Sequence, residues 1–255
     1  MNDQQLDPAV PAVAAPRSPG PVPWSVLESM AALGLWVLIQ MAVGAVVGAG
    51  RDDLTGHLLV GAVGDPLAVL ALIGLVRYWS RAQGAWPALL GLRRPSWRDA
   101  LASWRPLAVG VAAYAAAGLA VAGVVQALGL RWDEVPIQPL VRMIAQAQSG
   151  WVVGFALAVA IVAAPVAEEM LFRSVLYQPL RAWLGAVPAA LLVSALFALA
   201  HGYLLGAANL FVVSLTLVAL FERTGTLWAP IAAHAAYNGL MVLLARSVTL
   251  PGGAG

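Results

Sequence analysis

The stretch Ala163-Ala-Pro-Val-Ala-Glu-Glu-Met-Leu-Phe-Arg173 sets two adjacent carboxylates and a guanidinium inside an otherwise apolar run. At bilayer depth each such charge costs roughly 2.5–3.5 kcal/mol unless it is paired or hydrated. Three of them within six residues are not passive. Downstream come His201, then His234 and Asn238, each on its own apolar segment. Upstream of the stretch the chain reads as scaffold.

Composition settles the class. The chain has 255 residues, of which 61% are hydrophobic and 10% charged. A soluble domain carries about 25% charged residues, so the deficit points to an all-α, polytopic membrane bundle. There is no cysteine, which excludes disulfides, thiolate ligands and a cysteine nucleophile. The net charge of +2 comes entirely from arginine over acid, because the sequence has no lysine. It gives no footing for nucleic acid, and the arginines matter through where they lie.

About seven transmembrane helices are expected. Residues 1–23, rich in Pro and Ala, read as a disordered tail. Residues 24–150 form a membrane scaffold of three spans (24–49, 58–76 and 106–128) plus a basic connector over 77–105. Residues 151–245 form the catalytic membrane core, with helices over 151–180, 187–201, 204–221 and 227–244, and 246–255 is a C-terminal tail. Gly64-Asp65-Pro66 interrupts the second span. The reading favoured there is a helix that starts or breaks near Pro66 with Asp65 facing water. The connector carries Arg77, Arg81, Arg93, Arg94, Arg98 and Arg105 against Asp99 alone. Positive charge marks cytoplasmic loops, and Trp79, Trp86, Trp97 and Trp104 suit the interface. The count then gives a multi-pass protein of the cell membrane, with the N-terminus and the turns at Arg181 and Glu222–Gly225 inside.

Height above those turns, at 1.5 Å per residue, brings the polar residues together. Glu168 and His201 lie roughly 20 Å up, and His234 and Asn238 roughly 10 and 17 Å. Glu169 and Arg173 are i and i+4, so they can pair, while Glu168 points about 100° away and is left for chemistry. His234 and Asn238 share the same spacing and project together.

A free glutamate beside a histidine can bind and polarise one water as a general base. A second histidine and an amide can serve a developing oxyanion. Together they describe peptide hydrolysis by water. Two versions stand at this point: Glu168 and His201 act without metal, or Glu168, His201 and His234 ligate Zn²⁺ as a two-His, one-carboxylate set. The usual HExxH zinc helix is absent.

Glu168-Glu169-x-x-x-Arg173, Phe197-x-x-x-His201 and His234-x-x-x-Asn238, in this order, resemble the three motifs of the CPBP family of intramembrane proteases. That family is related to the type II CAAX prenyl endopeptidases and to bacteriocin-processing and self-immunity proteins. The resemblance covers about 151–244. It implies a site buried in the membrane and open to the cytoplasm. It implies that Glu168 and His201 activate water, that His234 and Asn238 stabilise the oxyanion, and that Glu169 and Arg173 support the site. Members are labelled metalloproteases or glutamate-dependent proteases. The implied partners are membrane lipid and a membrane-associated protein or peptide substrate. Two other functions use the same residues. One is a non-catalytic immunity or partner-binding protein on this fold. The other is a transporter, which calls for an inverted repeat that the sequence does not display.

Overall fold

The computed structural model describes residues 19–48, 54–81, 84–129, 144, 147–203 and 206–247. Residues 1–18 of the expected 1–23 tail, residues 49–53 at the end of the first span, most of the connector over 131–150 and the tail beyond 247 lie outside them. Eight helical segments are described, with no strand among the described residues. They are α1 (Val26–Val47), α2 (Leu54–Trp79), α3 (Trp86–Leu89), α4 (Trp97–Ala127), α5 (Gly150–Leu184), α6 (Ala186–Ala200), α7 (Ala207–Thr224) and α8 (Trp228–Ser247). Five of these, α1, α2, α4, α5 and α7, are long and apolar enough to cross a bilayer, and α6 is a shorter apolar helix. Large apolar side chains face outward along them, with Val46 87%, Leu119 75% and Val109 69% exposed. Such surfaces suit hydrocarbon and not water. The chain is a multi-pass helical membrane protein.

Local chemistry fixes several ends. Ser25 and Glu28 form a capping box on α1, so Glu28 folds back onto the Ser25 backbone amide at 2.7 Å instead of reaching outward. Ser96 and Asp99 cap α4 in the same way. That cap starts α4 at Trp97, whereas the third span was expected from Pro106; Pro106 is buried inside the helix. The basic connector is therefore half helix.

The reading of Asp65 is corrected. α2 runs without a break through Gly64-Asp65-Pro66, and Asp65 is buried at 5% exposure. Its partner is Gln40 of α1, whose Nε2 donates to Asp65 Oδ1 at 2.6 Å. The preceding turn, Val60–Gly64, is π-helical. A π turn shifts the register of the backbone ladder, which lets the helix pass a proline without stopping.

α5 is the axis of the bundle. Its 35 residues make about 52 Å of helix, well beyond the roughly 30 Å of a bilayer core. Two π-helical stretches, Val159–Ala163 and Met170–Leu176, flank the segment that carries Pro165, Glu168 and Glu169. Widened turns offer carbonyls to neighbours, and the neighbours use them. Val175 O accepts from Trp24 Nε1 at 3.0 Å and Ser29 Oγ at 2.7 Å, which ties α1 to α5.

One end of the bundle is laced together. Tyr177 and Arg181 of α5 both bind Glu222 at the end of α7. Ser174 and Gln178 donate to Leu90 O and Leu89 O of the connector. Arg93 pairs with Asp99 and also donates to Thr224 O. Gly91, at φ +75°, accepts from Leu227 N on its carbonyl, and an added Cβ there would meet Phe221 at 2.9 Å. The connector, the α5–α6 turn and the α7–α8 turn thus share one end, as the span count requires.

Candidate active site

Four helices meet at the carboxylate pair. From α5, Glu169 Oε1 lies 3.0 Å from Arg173 Nη1, and both side chains are fully buried. The same oxygen takes a hydrogen bond of 2.8 Å from His234 Nδ1 of α8. Glu169 therefore joins α5 to α8 as well as serving Arg173. From α7, Ser214 closes the set, since Arg173 Nη2 donates to its hydroxyl at 2.9 Å and its carbonyl at 3.3 Å. From α6, the Phe197 ring lies 4.9 Å below the guanidinium carbon, a contact that serves a desolvated cation. Ring contacts extend from Phe197 to His201 (tilted, 4.6 Å between centroids) and edge-on to His234 (5.8 Å).

Glu168 is arranged differently. It makes no hydrogen bond through Oε2, which is buried, and that oxygen lies 3.9 Å from His234 Nε2. Its side chain keeps 17% exposure. That separation is too long for a hydrogen bond. Each carboxylate has a buried Oε2 without a hydrogen-bond partner, but Glu169 holds Arg173 and His234 through Oε1, whereas Glu168 holds neither by a hydrogen bond and stands beside an imidazole edge.

The two histidines are oriented alike. A carboxylate oxygen can only accept, so His234 carries its Nδ1 proton toward Glu169 and turns Nε2 toward Glu168. His201 follows the last residue of α6 and its Nδ1 donates to Phe197 O at 2.8 Å, which leaves Nε2 as the acceptor nitrogen. No hydrogen bond or ion pair joins His201 to Glu168 among the described residues. Asn238 gives Nδ2 to Ala160 O at 2.8 Å, a carbonyl of the π-helical turn ahead of Pro165. One of its two amide protons is therefore already placed.

Glu168, His201 and His234 do not converge as a metal-ligand set, and no group of three or more His, Asp or Glu does so among the described residues. Each histidine does donate from Nδ1 and keep Nε2 free, the orientation a metal-binding imidazole also takes, but the three side chains are not gathered on one point, and no step is routed through a metal.

Ser214 escaped the sequence reading. Its one signal was a serine in the apolar run Leu210–Leu220, which is an ordinary packing position in membrane helices. Gln40 escaped in the same way.

The site is thus a buried Glu–Arg–His cluster inside a helical membrane bundle, with a second glutamate beside it. Compared with protein-family models, residues 149–240 match the type II CAAX prenyl endopeptidase Rce1-like family. At family level that is an intramembrane CAAX protease. No curated protein and no solved structure matches the chain.

Proposed function

We propose that the chain is an endopeptidase that hydrolyses a peptide bond of a membrane-associated protein or peptide with a water activated by Glu168. The observation that carries this reading is the unpartnered Glu168 carboxylate, 3.9 Å from a His234 that Glu169 holds from behind. Glu168 takes the proton as the water oxygen attacks the carbonyl carbon, then returns it to the leaving nitrogen as the C–N bond breaks. His201, through its Nε2 lone pair, helps to hold the water. The second amide proton of Asn238 serves the oxyanion, joined by His234 when its Nε2 also carries a proton. Glu169 and Arg173 support the site. Zinc has no role in this reading.

The laced end of the bundle carries the arginines of the connector, so it faces the cytoplasm, together with the N-terminus and the site's opening. Substrate would come from the membrane or its cytoplasmic surface. A lipid-anchored C-terminal tail, the kind named in the matched family's description, is the first to test.

The test is a comparison of protein termini in membranes from cells making the wild-type chain or Glu168→Gln at equal levels. New termini that require Glu168 support the reading. Identical termini, with both chains folded, would transfer it to a non-catalytic binding role.

A further inference from the structure

Asp65 is a carboxyl group buried inside a membrane span, and the reaction as written does not use it. Three observations place it beside Glu168. Gln40 lies fourteen residues from the start of α1, Asp65 fourteen from the end of α2 and Glu168 sixteen from the end of α5. At 1.5 Å per residue all three are roughly 21–24 Å from the laced end. The half of α2 beginning at Asp65 packs on the Ala164–Glu169 segment of α5. The Asp65 and Glu168 carboxyls are also close enough to act on each other electrostatically.

Gln40 supplies the telling detail. Its Nε2 is on Asp65 Oδ1, but its Oε1 is buried with no partner. That oxygen is pressed toward Gly64, where an added Cβ would come within 1.8 Å of it. An orphaned acceptor at membrane depth calls for a donor. A proton on Asp65 provides one, because a carboxylic acid and a primary amide close a ring of two hydrogen bonds, N–H to one carboxyl oxygen and O–H back to the amide oxygen. From α1 the group on Asp65 is Gln40, from α5 it is Glu168, and the buried guanidinium of the site, Arg173, is committed to Glu169. Among the described residues no cation pairs with Asp65.

We infer that Asp65 is a positioning residue of the site, held by Gln40 as a neutral carboxylic acid beside Glu168. The inference rests on Glu168 being the proposed base, but its test does not need turnover. Infrared spectra of the full chain in lipid at neutral pH should show a protonated-carboxyl C=O band. The band should persist in Glu168→Gln and be lost in Asp65→Asn, which keeps the shape of the neutral acid. A Gln40→Leu variant, which removes the amide, should move the band to higher frequency. A wild-type spectrum without the band, a band lost in Glu168→Gln, or one indifferent to both Asp65→Asn and Gln40→Leu would overturn the inference. None of these outcomes depends on whether the chain cleaves a peptide.

Discussion

His234 Nδ1 lies 2.8 Å from Glu169 Oε1, and the same oxygen is 3.0 Å from Arg173 Nη1. One carboxylate oxygen thus neutralises a buried guanidinium and orients the imidazole whose other edge meets Glu168. Structure and chemistry are joined through this atom, and substitutions around it should separate the two.

Arg173→Gln should unfold the site. It strands Glu169 as an uncompensated charge in a fully buried position. Removing one partner of a buried pair costs about 3–5 kcal/mol. The double variant Arg173→Met/Glu169→Met removes both charges and should recover much of that loss in a thermal or denaturant assay, while remaining inactive because His234 has lost its orienting partner.

Glu169→Gln tests orientation. The amide can still accept from His234, but it can also present its NH₂ group and turn the ring. The expected result is a fall in kcat of about 10²-fold or more, in the range of a lost acid–base group, with protein still recovered from membranes. A wild-type kcat would show that the Glu169–His234 bond has no part in the reaction.

Gly64→Ala tests the helix contact behind Asp65. The new methyl would come within 1.8 Å of Gln40 Oε1, so the amide must leave Asp65 or α1 must shift. Forcing a methyl into a packed contact costs about 1–3 kcal/mol. Gly34→Ala, at a position with open space, is the matching control and should be neutral.

Much of this was legible in the sequence. The charge deficit and the apolar runs gave a helical membrane bundle, and the i, i+4 spacing of Glu169 and Arg173 foretold their contact. The placement of the connector and two turns at one end followed from counting spans. What was hidden is long-range geometry. Spacing within a helix says which residues share a face, but not which helix that face meets. Glu169 was therefore assigned to Arg173 alone, and its bond to His234, 65 residues away, had no local signal. Asp65 was misjudged for the same reason. Gly-Asp-Pro reads locally as a helix stop, and only the amide of Gln40, on another helix, keeps the carboxyl inside. His201 and Asn238 lie on the expected helices, yet each is tied to a backbone carbonyl, Phe197 O or Ala160 O, that only the folded α6 end and the π-helical turn of α5 present.

The absence of cysteine makes topology directly testable. A single cysteine at Arg223, in the last turn of α7, should react with an impermeant maleimide only when the cytoplasmic face is opened. Labelling from the outside of intact cells would reverse the assigned orientation.

The central claim is that Glu168 is a catalytic group with no structural duty. The most direct measurement is the paired yield, melting temperature and substrate cleavage of wild type and Glu168→Gln in the same membranes. Because Glu168 has no hydrogen-bond partner on Oε2, Glu168→Gln should be at least as stable as wild type, with cleavage reduced by about 10²–10⁴-fold or more. A Glu168→Gln chain that folds and still cuts would contradict it.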